Sequence, residues 1–271
     1  MYQVLSSWWE ICNNQWKENL PKLQVVNNWT DVDPSNIILC QGDLSHANVK
    51  HWLNNDFPVL YFARGYVGNH QYRSRDGWMH RITQRGWANF DLKPIPHSRW
   101  PALKLEKHNW KVKKVKNVLI APSKATTPFW SDCTSNSWAE EISSKFPGAN
   151  IKFRYKTGKS RERWNTLFED FDWADLIVSQ SSAITAEAFW YGKKVISTEP
   201  CTTWAAGRPS FDDWQNPKEP ELRDRWHEHV AWSQFTNTEI DSGEAMMLVQ
   251  KYHGSVLEYQ HNYKYNFFLK S

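Results

Sequence analysis

Short apolar runs alternate with longer amphipathic or polar segments along most of the chain. Continuous apolar runs of this length are typical of strands in a parallel sheet that is covered on both faces. The runs predict strands at residues 37–40, 58–62, 116–121, 151–155, 176–178 and 195–196. The segments between and after them predict helices at residues 135–146, 161–170, 183–190, 221–233 and 238–251. This alternation indicates an α/β fold with parallel sheets and helices on both faces.

The first 20 residues show a different pattern. Apolar side chains recur there at near-helical spacing, and Pro21 would end a helix, so we expect an opening helix. The side chains that would share its face are Leu5, Trp8, Trp9, Cys12 and Trp16. Residues 64–105 follow no period and are expected to be irregular.

Length and composition limit the class of protein. The chain has 271 residues, of which 40% are hydrophobic, enough for a core divided between two small domains. We place the boundary near residue 110, giving domains 1–110 and 111–271. Four scattered cysteines without a CxxC pair fit a reducing compartment, and no metal site is predicted. No apolar run reaches the length of a membrane span and no signal peptide is seen, so a cytoplasmic location is expected.

Charge is unevenly distributed along the chain. Between Arg64 and Lys124, 14 Lys/Arg against 3 Asp/Glu give a local balance of +11, whereas the remaining residues balance at −7. Such a stretch suggests a polyanionic partner, although a solvated loop with ordinary lysines would look the same. Tryptophan reaches 18 residues, some of which could stack on bases or sugars.

The segment 173–197 carries the strongest functional signal. A buried strand is followed by a turn in which Ser179, Ser181 and Ser182 offer hydroxyl groups, and a helix then ends at Gly192. A helix start at the carboxyl end of a parallel strand is suited to bind an anion. Glu187 lies about one turn into the helix, where a carboxylate could accept hydrogen bonds from ribose hydroxyls. The alternative is an ordinary βαβ unit whose serines only cap the helix.

This segment resembles the nucleotide-sugar binding segment of GT-B glycosyltransferases. The matching positions are Asp175, the apolar strand 176–178, Ser181, Ser182, Glu187, Gly192, Lys193 and the strand 195–196. The resemblance implies two Rossmann-like domains, with C-terminal helices that cross back to the first domain. It also implies that the serines bind the phosphate of a nucleotide-sugar donor, such as a UDP-sugar, and that the glutamate binds its ribose. No further cofactor is implied.

Two other loops should meet the serine-rich turn at the carboxyl ends of neighbouring strands. They supply hydroxyls and cations that could neutralise a diphosphate leaving group. The candidates for donor binding are Ser123, Lys124, Arg154 and Lys156. Arg154 and Lys156 alternate along one strand face, so both could point at one ligand. Surface charges on an edge strand would show the same pattern.

The catalytic base is expected in the N-terminal half. An acceptor hydroxyl must lose its proton as it attacks the anomeric carbon, and a carboxylate or imidazole at a strand's carboxyl end can take that proton. Asp43 and His46 follow the strand 37–40, and Asp76 is a second candidate. Asp43 is the preferred base, although it could instead be a helix cap.

The stretches 61–78 and 224–245 resemble phage-encoded glycosyltransferase-like proteins, which implies a role in DNA modification. The likeness to capsule polysaccharide transferases is more distant, because Tyr155-Lys156 stands where those carry a His-Pro dipeptide. If the chain is phage-encoded, the host cytoplasm is its expected location. Expected contacts to the acceptor or to DNA are Arg64, Tyr66, Tyr72, Arg73, Arg75, Trp78, Arg81 and Arg85.

Three functions follow from these signals. The first is a hexosyl or pentosyl transferase that moves a sugar from a nucleotide-sugar to a hydroxymethylated pyrimidine base in DNA, where an extruded base could stack on tryptophan. The second is a transferase that builds a surface polysaccharide or a lipid-linked glycan. The third is a non-catalytic nucleic-acid-binding protein on the same scaffold.

Overall fold

The computed structural model has a mixed α/β architecture with parallel strands, as the apolar pattern predicts. It describes residues 2–5, 23–41, 51–52, 55, 57–68, 79–84, 92, 94–122, 135–155, 166–180, 182–198, 201–206 and 210–253. Contacts group the chain into two units. Unit 1 comprises Met1–Gly65, Gln71–Asn89 and Trp232–Ser271, and unit 2 comprises Tyr66–His70 and Phe90–Ala231. In the described ranges, no helix combines the length and the apolar character needed to cross a membrane.

Unit 1 contains a six-stranded sheet. Its strands are β1 (Tyr2–Leu5), β2 (Leu23–Val26), β3 (Ile37–Gln41), β4 (Val59–Arg64), β5 (His80–Gln84) and β10 (Gln234–Phe235), in the order β10-β5-β4-β3-β1-β2. The pairs β1–β2, β1–β3 and β3–β4 are parallel, while β4–β5 and β5–β10 are antiparallel. The helices of the C-terminal segment are α6 (Asn237–Asp241) and α7 (Glu244–His253), where one helix was predicted. Gly243, at φ 78°, separates them.

The start of the chain is a strand, so the prediction of an opening helix is wrong for residues 2–5. Tyr2 is level with Leu23 on one side and with Ile37 on the other. A strand between two partners satisfies its backbone N–H and C=O groups on both sides, which local helical spacing of side chains does not reveal. The segment 64–105 also contains a strand, β5, where irregular structure was expected.

Unit 2 contains a four-stranded, wholly parallel sheet. Its strands are β6 (Asn117–Ala121), β7 (Asn150–Phe153), β8 (Leu176–Ser179) and β9 (Lys194–Ser197), in the order β7-β6-β8-β9. The helices are α1 (Arg99–Ala102), α2 (Ser135–Ser143), α3 (Leu167–Trp173) and α4 (Ile184–Trp190), and α5 (Arg223–Trp232) begins in this unit. Trp138, Ile142 and Phe146 pack with Val118 and Val178 in a buried cluster on one face of the sheet.

Gly192 ends α4, as the sequence predicts, and its backbone adopts φ +86°. Its carbonyl accepts a hydrogen bond of 2.9 Å from the Lys111 N–H. A Cβ added at this position would overlap the carbonyl oxygen of Asn109. The left-handed conformation and the close approach of a second backbone therefore both require glycine here.

We expect Gly192→Ala to lower the free energy of unfolding by more than the ~1 kcal/mol that positive φ alone costs. Gly148→Ala is the matched control, because Gly148 has φ +80° but nothing within 4 Å of an added Cβ. Urea denaturation of both variants measures the difference. Equal losses of stability would contradict the close approach between Gly192 and Asn109.

Candidate functional site

The sheet of unit 2 reverses its strand order between β6 and β8. From β6 the chain continues to β7 on one side, and it returns later to β8 on the other side. Ile151 of β7 packs toward the cluster that contains α2, whereas the alternate residues Lys152 and Arg154 contact Asp170 of α3. At such a reversal, the chains that leave the two strands pass to opposite faces of the sheet, so a crevice is expected at the carboxyl ends of β6 and β8. Ligands of open α/β sheets bind in such crevices.

Hydroxyl groups fix the edge of the sheet around this crevice. The Ser179 hydroxyl donates to the Ala121 carbonyl at 2.7 Å and so joins the ends of β8 and β6. The Ser197 hydroxyl donates to the Gln180 carbonyl and thereby holds the start of the turn. Ser179 is fully buried, so its hydroxyl serves the sheet, and the expectation that it is offered to a ligand is wrong.

Ser182 lies in the turn after β8 and is partly exposed. Its carbonyl accepts a hydrogen bond of 2.7 Å from the Thr185 hydroxyl and starts α4. The Ser182 hydroxyl is 3.4 Å from the Ile184 N–H, which is long for a hydrogen bond. This weak cap leaves the hydroxyl able to bond to a ligand in the crevice.

Glu187 lies in the first turn of α4 and is 2% exposed. Burial raises the pKa of its carboxyl group to about 8, and a hydrogen bond from the backbone of Gly68 opposes this shift. The carboxyl group is therefore largely protonated at pH 7, and it can donate as well as accept a hydrogen bond. The predicted contact with ribose stays a prediction.

Arg154, a predicted donor-binding residue, forms an ion pair with Asp170 and donates to the Thr166 hydroxyl at 3.1 Å. Lys152 also pairs with Asp170, with 2.5 Å between Nζ and Oδ1. Two cations thus neutralise one buried carboxylate at the carboxyl end of β7. A role of Arg154 in donor binding stays a prediction.

Two of the expected acceptor contacts, Tyr66 and Arg81, are buried, with exposures of 2% and 5%. The Arg81 guanidinium lies 5.5 Å from the centre of the Tyr61 ring. Arg64 belongs to β4, and its side chain is outside the described structure. The remaining predicted site residues also lie outside the described ranges: Asp43, His46, Asp76, Ser123, Lys124, Lys156, Ser181, Tyr72, Arg73, Arg75, Trp78 and Arg85.

Sequence reasoning did not single out Gly68 or Ser197 as parts of the site. Gly68 contacts Glu187 and Ser197 contacts Gln180, both through tertiary structure that no local sequence pattern reveals. Asp175 lies at the opposite edge of the sheet, where its carboxylate accepts from the N–H groups of Lys116 and Asn117, both at 2.9 Å. Over the described ranges, no three His, Cys, Asp or Glu side chains are grouped as metal ligands would be.

No protein-family model matches the chain, and no curated protein matches it in sequence. In structure it is similar to the beta Kdo 2,7 transferase of Thermosulfurimonas dismutans KpsC, with a TM-score of 0.52 and 11% identity. That alignment covers 91% of this chain and 99% of the transferase chain. The beta Kdo 2,4 transferase of Thermosulfurimonas dismutans KpsC aligns with a TM-score of 0.41 and 14% identity, over 72% of this chain and 78% of that chain. At 11% identity, the first alignment shows the fold alone.

The burial of Glu187 predicts a pH-dependent stability. Because the pKa of Glu187 rises from 4.5 to about 8 in the folded protein, the folded state is favoured while this carboxyl group is protonated. This stabilisation is fully present below pH 4.5 and is lost as the pH approaches 8. We expect Glu187→Gln to gain stability relative to the parent protein over this interval, by up to about 1.4 kcal/mol per pH unit. Denaturation curves between pH 5 and pH 8.5 test this.

Glu140→Gln, which neutralises an exposed carboxylate on α2, is the control for that series. A constant stability difference between Glu187→Gln and the parent at every pH would show that the Glu187 carboxyl group does not titrate as proposed.

Proposed function

We propose that the protein is a glycosyltransferase that moves a sugar from a nucleotide-sugar donor to a carbohydrate acceptor. The observation that carries this proposal is the reversal of strand order between β6 and β8, next to the partly exposed Ser182 and the buried Glu187. The similarity in fold to a transferase over 91% of the chain supports the same class of reaction.

The donor phosphate would lie in the crevice. In the reaction, the bond between the anomeric carbon and the phosphate oxygen breaks, and negative charge develops on the leaving group. The Ser182 hydroxyl can donate to that group, and Ser123, Lys124 and Ser181 follow β6 and β8 closely enough in sequence to complete the site. The Glu187 carboxyl group would bind a ribose hydroxyl after a small opening of the segment that includes Gly68.

The acceptor oxygen forms the new bond to the anomeric carbon, and its proton passes to a general base. Asp43 is the proposed base, since it follows β3 directly in sequence, and His46 and Asp76 are the alternatives. A single base on the side of the acceptor would give inversion at the anomeric carbon.

A carbohydrate acceptor is favoured over a hydroxymethylated base in DNA. The basic stretch 64–124 supports a polyanion, but two of its predicted DNA contacts, Tyr66 and Arg81, are buried. Buried side chains cannot reach the phosphates of a duplex. The structural neighbour is named as a Kdo transferase, which adds to the case for a carbohydrate.

A thermal-shift screen of nucleotide-sugars tests the donor site, because a ligand that binds the folded state raises the melting temperature. We expect one nucleotide-sugar to raise the melting temperature. Ser182→Ala should weaken the affinity for that nucleotide-sugar about tenfold, the effect of one lost hydrogen bond of about 1.4 kcal/mol. Ser144→Ala is the matched control, because the Ser144 hydroxyl donates to the Glu141 carbonyl in the last turn of α2 at 2.7 Å. Equal affinity in both variants would remove Ser182 from the site.

Radiolabelled donor offered to glycan acceptors and to hydroxymethylated DNA tests the acceptor class. We expect label in glycan alone, with little dependence on salt. Label in DNA that falls steeply as salt rises would instead show that phosphate contacts position a duplex on the enzyme.

A further inference from the structure

Two aromatic side chains are exposed side by side at the carboxyl end of β7. Phe153 is 40% exposed and Tyr155 is 48% exposed. Their ring centroids are 6.1 Å apart and their planes differ by 23°, so the rings lie almost parallel. Two adjacent exposed rings offer a larger apolar surface to a ligand than exposed side chains that are scattered singly.

The strand register places this pair near the proposed donor crevice. Phe153 pairs with Ile120, and Ile120 pairs with Val178, so the three residues are level across the sheet. Two strand spacings separate Phe153 from Val178, about 10 Å. Val178 lies two residues before Gln180, where the turn of the donor crevice begins. The aromatic pair therefore lies on the same edge of the sheet as that turn.

The charges on the described residues 150–155 favour an uncharged ligand. The neighbouring cations Lys152 and Arg154 point to the other face, where both are paired with Asp170. Among the described residues 150–155, both cations are therefore already paired with a carboxylate, and an anion at the rings would gain little attraction from them. Aromatic faces carry partial negative charge and attract the weakly positive C–H groups of a pyranose ring.

The size of the pair favours a single ring over a protein. Two half-exposed rings offer on the order of 200 Å². A stable protein interface buries roughly 800 Å² on each partner. A pyranose ring fits the available area, and the proposed reaction supplies such a ring as acceptor.

We propose that Phe153 and Tyr155 form a stacking site for a pyranose ring of the acceptor glycan, beside the crevice that holds the donor. This inference depends on the proposed function for the identity of its ligand. It assigns acceptor recognition partly to the unit that contains the donor crevice, through residues that no catalytic step requires.

Saturation-transfer NMR on the full chain tests the site with methyl β-D-galactopyranoside and methyl β-D-glucopyranoside as probes. We expect saturation of the ring C–H protons of at least one probe in the parent protein, and at least a fivefold loss of that signal in Phe153→Ala/Tyr155→Ala. Both side chains are exposed, so the variant should keep its melting temperature. Trp29→Ala is the matched control, because Trp29 is a 44% exposed aromatic in unit 1.

Titration of the same variants with the nucleotide-sugar found in the thermal-shift screen separates this inference from the proposed function. Unchanged donor affinity together with lost pyranoside contact supports the stacking site. No pyranoside signal in the parent, equal signal in the double variant, or loss of donor affinity instead would each overturn it. Donor binding without pyranoside contact would leave the proposed function intact.

Discussion

The hydrogen bond from the Ser179 hydroxyl to the Ala121 carbonyl joins two strands at the point where their chains part. After β6 the chain enters the layer of α2, and after β8 it enters α4. The sheet's edge would otherwise be free to splay there, because no further strand pairing continues beyond Ala121 and Ser179. This bond holds together the carboxyl ends of β6 and β8, where the crevice is expected. The position of Ser182 and the place proposed for the donor both follow from it.

Several charged or titratable side chains are buried in unit 2. Glu187 is buried where its charged form is disfavoured, and the partial compensation comes from the Gly68 backbone. Asp170 is buried as well, but Lys152 and Arg154 neutralise it. Arg223 is buried and donates to the carbonyls of Phe189 and Trp190 at the end of α4. Paired charges and one carboxyl group with a raised pKa are therefore buried together in this unit.

The sequence predicted those elements whose signal is local. The apolar run 176–178 and the stop at Gly192 predicted β8 and α4, because both depend on burial and backbone conformation within a few residues. β5 and β10 were missed, since His80–Gln84 and Gln234–Phe235 are largely polar and become strands only by pairing with each other and with β4. A helix was predicted at the strand Tyr2–Leu5, because the tryptophans that follow it have helical spacing. The turn after β8 could be predicted from its serines, but the contact between Glu187 and the Gly68 backbone depends on tertiary structure.

A crystal structure with a bound nucleotide-sugar would test the central claim most directly. The account predicts phosphate density in the crevice between the ends of β6 and β8, within hydrogen-bonding distance of the Ser182 hydroxyl. Phosphate density at any other part of the molecule, with that crevice left empty, would contradict it.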